Sequence, residues 1–272
     1  YHETATDGYI DGTDGRSGSY YGGLTWLGDN FKISYKNIGN FEKTGQAWNG
    51  VLGGDYNTNF TLMDDGIRTY KDMYEAGLGK FNVLTGDLVR NGKGDYTIKP
   101  YTLRNGNKWE KTTDNFYQNH NILSAAWTPN SHWSHNIALH YTYGYGYYKE
   151  FKNQYKFAKF GLVYKDAEGN KKSDFIRKKG LTQNTYGMVY NTNYKDEHWD
   201  VIGGLNLQQF RGNHWGYLTY IANQDAEKQF LGSNGKYNYY DSDAHKYDYS
   251  AFIKASYRFA DYWTAFADLQ YR

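Results

Sequence analysis

Trp133-Ser134-His135-Asn136-Ile137-Ala138-Leu139-His140-Tyr141-Thr142-Tyr143-Gly144 is the stretch on which the fold turns. Its odd positions carry Trp133, His135, Ile137, Leu139, Tyr141 and Tyr143. Its even positions carry Ser134, Asn136, Ala138, His140, Thr142 and Gly144. Successive side chains of an extended chain point to opposite faces, so this alternation is that of a strand with one apolar and one polar face. The same period runs from Tyr247 through Tyr249, Ala251, Ile253, Ala255 and Tyr257 to Phe259. It runs again from Trp263 through Ala265, Ala267 and Leu269 to Tyr271. Weaker alternation covers 19–27, 30–38, 116–128, 184–194 and 198–209. Eight strands are predicted, and a ninth if 1–7 is the top of another.

The strands pair with a fixed asymmetry. Connections near Gly28-Asp29, Pro129-Asn130, Asp196-Glu197 and Ala260-Asp261 are short. Those at roughly 39–115, 145–183 and 210–246 are read as long polar loops rich in Gly, Asn, Asp and Lys. Short turns on one side and long loops on the other are the mark of an outer-membrane barrel. A soluble sandwich has no reason to separate loop lengths in this way.

Composition agrees. Aromatic residues make up 19% of the chain, with 31 Tyr and 8 Trp, and the formal net charge is only +2. Disordered chains lack aromatics, and two prolines against 31 glycines suit sheets. There is no cysteine, hence neither a disulfide framework nor a thiolate metal site. No apolar run approaches the length of a transmembrane helix. Near-balanced charge gives no argument for nucleic acid.

Trp26, Trp127, Trp133, Trp199 and Trp263 all lie beside a short turn and, by parity, on the apolar face, with Phe31, Tyr194 and Phe259. Amphipathic rings gather at a membrane interface, so these five are predicted to form one girdle. Tyr141, Tyr143, Tyr186 and Tyr249 would form the other. Trp133 to Tyr143, at ~3.3 Å per residue and ~45° tilt, spans about 25 Å, the height of an outer-membrane apolar band. Leu24, Ile33, Ile137, Leu139, Val201, Leu205, Ile253 and Leu269 are predicted to face lipid. Lys32, Lys36, His140, Asp200, Lys254, Arg258 and Asp268 are predicted to face the lumen.

Segment 19–27 runs toward a short turn and 263–272 away from one, so both ends fall on the long-loop side. A single-chain barrel with short periplasmic turns ends in the periplasm, and an open edge is forbidden in lipid. Further strands are therefore expected to flank both ends, with 19–27 and 263–272 unpaired with each other.

Several segments resemble successive barrel pieces of TonB-dependent receptors of the Bacteroidota type. They are Thr6-Asp7-Gly8-Tyr9-Ile10-Asp11, Tyr20-Tyr21-Gly22-Gly23, Gly45-Gln46-Ala47-Trp48-Asn49-Gly50, Asp114-Asn115-Phe116-Tyr117-Gln118-Asn119-His120, the run Ala138 to Glu150, and Ala265 to Arg272. The resemblance implies a barrel of 22 strands, of which this chain would supply a part. It also implies an N-terminal plug that engages the TonB-ExbB-ExbD energising complex, and a surface lipoprotein lid. Its function would be import of a scarce nutrient: an iron chelate, haem, cobalamin or a glycan. Outer-membrane lipid and lipopolysaccharide would surround it. A passive porin, or a soluble aromatic-rich glycan-binding β-protein, are the other readings.

No catalytic constellation stands out, and no cofactor is expected. Asp7-Gly8, Asp11-Gly12 and Asp14-Gly15 miss the calcium-loop spacing and suit turns. If Trp127 faces Trp133 across its turn, His120 faces His140 in the lumen. Two imidazoles there could hold a metal or a cargo group, and two plain polar lumen residues are the commoner case. Trp48, Trp109 and Trp215 fall in the long loops, where they either stack on cargo or hold the loops folded. The basic run Lys171 to Lys179 reads as a solvated loop or a contact for anionic lipopolysaccharide.

Overall fold

The computed structural model describes residues 1–53 and 65–272. Part of the connection predicted at 39–115 lies outside them. The chain is all-β. In order it forms β1 (His2–Thr6), β2 (Gly15–Leu27), β3 (Phe31–Gln46), α1 (Tyr70–Glu75), β4 (Gly86–Arg90), β5 (Tyr96–Pro100), β6 (Thr112–Trp127) and β7 (Trp133–Lys156). There follow β8 (Lys172–Lys195), β9 (Trp199–Ile221), α2 (Gln224–Phe230), β10 (Tyr237–Ala260) and β11 (Trp263–Tyr271). One antiparallel sheet takes nine strands in the order β1-β2-β3-β6-β7-β8-β9-β10-β11, and β4-β5 is a separate hairpin. Every predicted strand is present, and β1 is the ninth. No ladder joins β1 or β2 to β11, so the sheet is open at both edges.

The short turns stand where predicted. Three of them are held by hydrogen bonds suited to a tight reversal. The Gly28 N–H donates to the Phe31 carbonyl at 2.7 Å. Asn130 Oδ1 accepts from the N–H groups of His132 and Trp133, each at 3.0 Å. Asp196 Oδ1 accepts from those of His198 at 2.8 Å and Trp199 at 2.6 Å.

The long loops are a correction. Much of 145–183 and 210–246 is strand: β7, β8 and β10 each run 24 residues and β9 runs 23. The basic run Lys171 to Lys179 is the start of β8, with Ser173, Phe175 and Ile176 buried, and is no solvated loop. These extensions carry Tyr, Asn, Gly and Lys on both faces, so no apolar period marks them. Their main-chain groups nevertheless enter ladders, on both sides from Phe175 to Lys195 of β8 and on one side in the ends of β7 and β10.

The register sorts every side chain into two faces. One row crosses eight strands as Trp26, Ile33, Ala125, Ile137, Tyr190, Leu205, Ala251 and Tyr271. The next row on that face is Leu24, Tyr35, Leu123, Leu139, Met188, Leu207 and Tyr249. Between these rows, on the opposite face, stand Thr25, Ser34, Ser124, Ala138, Val189, Asn206 and Ser250. All the residues predicted apolar-facing fall on the first face and all those predicted lumen-facing on the second. Lys195–Asp200, Lys254–Asp268 and Arg272–Asp248 pair on the polar face.

Among the described residues, buried apolar clusters lie on the far side of the molecule from the short turns. Phe157, Phe160, Leu162, Phe175, Leu218 and Ile221 pack where β7, β8 and β9 end. Val51, Ile67, Met73, Phe81, Val83 and Leu88 pack in the long connection. Asn82, fully buried, pins that connection by donating to the carbonyls of Asp11 at 3.1 Å and Gln46 at 2.9 Å.

Candidate functional site

The five tryptophans predicted beside the turns are all on the apolar face and all exposed: Trp26 60%, Trp127 46%, Trp133 39%, Trp199 42% and Trp263 67%. They do not lie on one ladder row. Trp127 shares a row with Phe31 and His135, one below Trp26. Trp133 shares the next with Tyr194 and Val201, and Trp199 the next with Tyr257 and Ala265. Trp263 stands one step lower again, two residues before Ala265. His135 is stacked between Trp127 at 5.4 Å and Trp133 at 5.6 Å.

His120 and His140 do not face each other. Trp127 pairs with His135, not Trp133, because β7 starts two residues lower than β6 ends; the position facing Trp133 would be Pro129, which has no N–H to donate. His120 therefore pairs with Thr142, whose Oγ1 is 2.9 Å from its Nδ1, and His140 pairs with Ile122. The His140 ring lies over Gly187, where a Cβ would come within 1.9 Å of Nε2. Among the described residues, no group of three or more His, Asp or Glu could hold a metal ion. Gly8 and Gly12 have φ of 75° and 71°, as turn glycines do.

The three loop tryptophans separate. Trp215 is inside β9, buried, on the apolar face beside Tyr217 at 5.0 Å and Tyr145 at 6.3 Å. Trp109 is buried against Phe151 at 5.9 Å on that same face, capping the far end of the sheet, with the Lys149 amine 5.5 Å over its ring. Neither can touch a ligand on the polar face. Both are packed among other rings. Trp48 alone is exposed toward the polar face, edge-on to Tyr148 at 5.3 Å.

Tyr148 leads to a groove that the sequence reading missed. It lies on the polar face, beyond the alternating segments, and holds about 430 Å³. Two adjacent rows build it. The first is Glu42, Phe116, Gly146, Leu181 and His214; the second is Asp114, Tyr148, Lys179, Gly216 and Tyr240. Its floor is glycine covered by rings. A Cβ on Gly146 would meet Phe116 Cδ2 at 2.5 Å, and one on Gly216 would meet Tyr240 Cε1 at 2.4 Å. The Phe116 and Tyr240 rings thus each set an edge against one of the two glycines. The Lys179 amine sits 5.4 Å over Tyr240 and 5.9 Å over Tyr148. One row above, the buried Glu150 pairs with Arg177 and with Lys152 at 2.8 Å and braces this end. Partial burial pushes the Asp114 carboxyl up from its usual value and raises the Tyr148 and Tyr240 phenols. Glu42 and Asp114 enter no ion pair among the described residues and line the groove. The signal that could have found this site was the run Tyr143-Gly144-Tyr145-Gly146-Tyr147-Tyr148, in which glycines on one face leave room for rings from neighbouring strands.

No known family model matches the chain, and no curated protein is similar to it.

Proposed function

We propose that this sheet is part of the wall of an outer-membrane β-barrel. We further propose that the barrel belongs to a TonB-dependent importer of a scarce nutrient, with the polar face turned to the lumen and the far half outside the cell. The observation that carries the reading is the descent of the turn-side tryptophans. From Trp26 on β2 to Trp263 on β11 the girdle drops four rows of two residues, about 26 Å along the strands, over seven inter-strand spacings, about 34 Å. Rings held in one flat interface then require strands inclined by ~38°, within the ~35–45° of outer-membrane barrels. The other girdle descends in parallel: Phe41 and Tyr117 share one row, then Tyr143, Tyr186, Tyr249 and Tyr271 each stand one row lower. On β7 the two girdles are about 26 Å apart along the membrane normal, from ~3.3 Å per residue and that inclination. Between them this face carries mostly Leu, Ile, Ala, Met and Tyr, with His135 and Thr192 near the turns and with Asn37, Asn119 and Asn121 hydrogen-bonded to one another and to Tyr20 and Tyr35.

In lipid, unpaired edges such as β1 and β11 would be untenable, so further strands would close the barrel. Import, as against passive diffusion, rests on the sequence resemblance, with cargo drawn to the extracellular groove.

Spin labels on single cysteines test the facing. Labels at Leu24, Leu139 and Leu207 in reconstituted protein should collide with dissolved oxygen and be shielded from an aqueous nickel chelate, and labels at Ser34, Ser124 and Asn206 the reverse. Equal accessibility of the two sets would end the membrane reading. Cargo uptake that survives collapse of the proton gradient would replace the importer with a porin.

A further inference from the structure

We infer that the groove between Phe116, Tyr148 and Tyr240 binds a neutral saccharide, with Glu42 and Asp114 accepting hydrogen bonds from its hydroxyls. The inference rests on the reading above for the groove's place on the extracellular lumen wall, and it names the class of cargo for that site.

Three features select the class. The first is ring presentation. Phe116 and Tyr240 line the groove, each with a ring edge against a glycine, Gly146 and Gly216, that leaves room for it. Flat aromatic rings offer apolar area with little conformational freedom to lose. They suit the C–H-lined face of a pyranose ring. Trp48, exposed and edge-on to Tyr148, extends the aromatic surface past one ring, enough for more than one sugar unit.

The second feature is the carboxylates. Glu42 and Asp114 line the groove without a cationic partner among the described residues, on two adjacent strands and in adjacent rows. Ionised carboxylates only accept hydrogen bonds, and hydroxyl-rich ligands are donors to match.

The third feature is what the groove lacks for the other cargoes. An anionic iron chelate needs converging cations. Here the lining cation is Lys179, already seated over Tyr148 and Tyr240. A cationic ligand would compete with that same amine for the ring faces. Haem would require a wide apolar slot, whereas polar groups from four strands interrupt this one.

The test uses the full-length protein in detergent and an array of neutral oligosaccharides of glucose, mannose, xylose, galactose and fructose. A tris-catecholate ferric chelate and haemin serve as the contrasting probes. Binding is read by calorimetry and by Trp48 fluorescence. At least one neutral oligosaccharide should bind. Glu42→Gln with Asp114→Asn should weaken it about tenfold or more, as loss of charge-assisted hydrogen bonds does. Phe116→Ala should weaken it by a similar factor. The isosteric carboxylate variants keep the shape of the site, so an unchanged heat-modifiable band on gels separates lost binding from lost folding. A silent array overturns the inference. So does saccharide binding indifferent to these variants, or chelate binding that Phe116→Ala abolishes. If saccharide binding responds as expected while the spin-label pattern fails, the site stands and the membrane reading falls. The converse pattern leaves the barrel and removes the saccharide.

Discussion

The turn-side half of the sheet and its far half solve the problem of apolar surface in opposite ways. On the turn side, Leu24, Ile33, Leu139, Leu205, Leu207, Ile253 and Leu269 are all exposed, and the side chain of the one strongly buried residue there with a polar group, Ser34, belongs to the polar face. In the far half every large apolar cluster is closed: Phe157, Phe175, Leu218 and Ile221 are sealed from solvent to within 2%. A soluble protein would bury the first set as it buries the second. On the proposed barrel reading, one chain treats water as the solvent at one end and lipid as the solvent at the other.

The largest effect that separates the halves is expected in the far one. Phe175→Ala removes a ring packed at 5.1 Å from Phe157 and 4.8 Å from Phe160. A buried Phe→Ala change costs ~3–5 kcal/mol. Amide hydrogen exchange should show the ends of β7, β8 and β9 opening while the ladder between Trp133 and Tyr194 stays protected. Equal loss of protection at both ends would make the halves one cooperative unit.

The next effect belongs to the turn side. Leu205→Arg on the apolar face should cost ~2–4 kcal/mol in a bilayer, the range for arginine near the midplane of an outer-membrane barrel. Asn206→Arg, one residue away on the polar face, should cost a small fraction of that. Urea titration of protein refolded into vesicles measures both. If the two substitutions cost the same, the faces do not meet different solvents.

A smaller effect concerns how the far half is tied down. Asn82→Ala leaves the carbonyls of Asp11 and Gln46 without their buried donor. Loss of such partners costs ~1–3 kcal/mol. Limited proteolysis should then cut within 7–14 or in the connection after β3 well before it cuts the turn-side strands.

The same contrast explains what the sequence revealed. Where one face carries the apolar rows and the other the polar ones, alternation is enforced residue by residue. Ile137, Leu139 and Tyr141 therefore disclosed the strand, its facing and its turns. Register was less legible. Two rows lie within reach of the same turn, and the choice depends on the side chain of Asn130 and the missing N–H of Pro129, so His120 and His140 were matched to each other wrongly. In the far half both faces are polar or aromatic and period two vanishes. Lys172 to Lys179 and Tyr145 to Lys156 then read as loop although they are paired into the sheet. The groove was hidden for that reason: Glu42, Asp114, Phe116 and Tyr240 are up to about two hundred positions apart and converge only through ladders running past the alternating segments.

The smallest effect compares one turn from each half, since both rely on an aspartate. Asp196 closes the turn between β8 and β9, accepting from the Tyr194 hydroxyl at 2.6 Å and from the N–H groups of Trp199 and His198. These bonds favour the carboxylate, and the Tyr194 hydrogen bond, the largest of them, helps hold its pKa down at about 2. Asp166 does the same in the far half. There the Asn170 side-chain amide and backbone N–H lower it. For a carboxyl whose folded value lies below its unfolded value, the stabilisation is fully present above the unfolded value. It is lost as pH falls from there through the folded one. The contribution of Asp196 should therefore be constant from pH 7 to about 5 and fade between about pH 4 and 2. The difference in unfolding midpoint between the natural protein and Asp196→Asn should shrink over that window alone. Carboxyl NMR of Asp196 would locate the titration directly. Asp166→Asn should show its own fading in acid without disturbing the signals of Trp199 and Tyr194, because its turn sits beyond the packed ends of β7 and β8. A difference for Asp196→Asn that holds unchanged down to pH 2 would mean the turn is set by backbone geometry alone. The Trp199 end of the girdle would then keep its place without the charge.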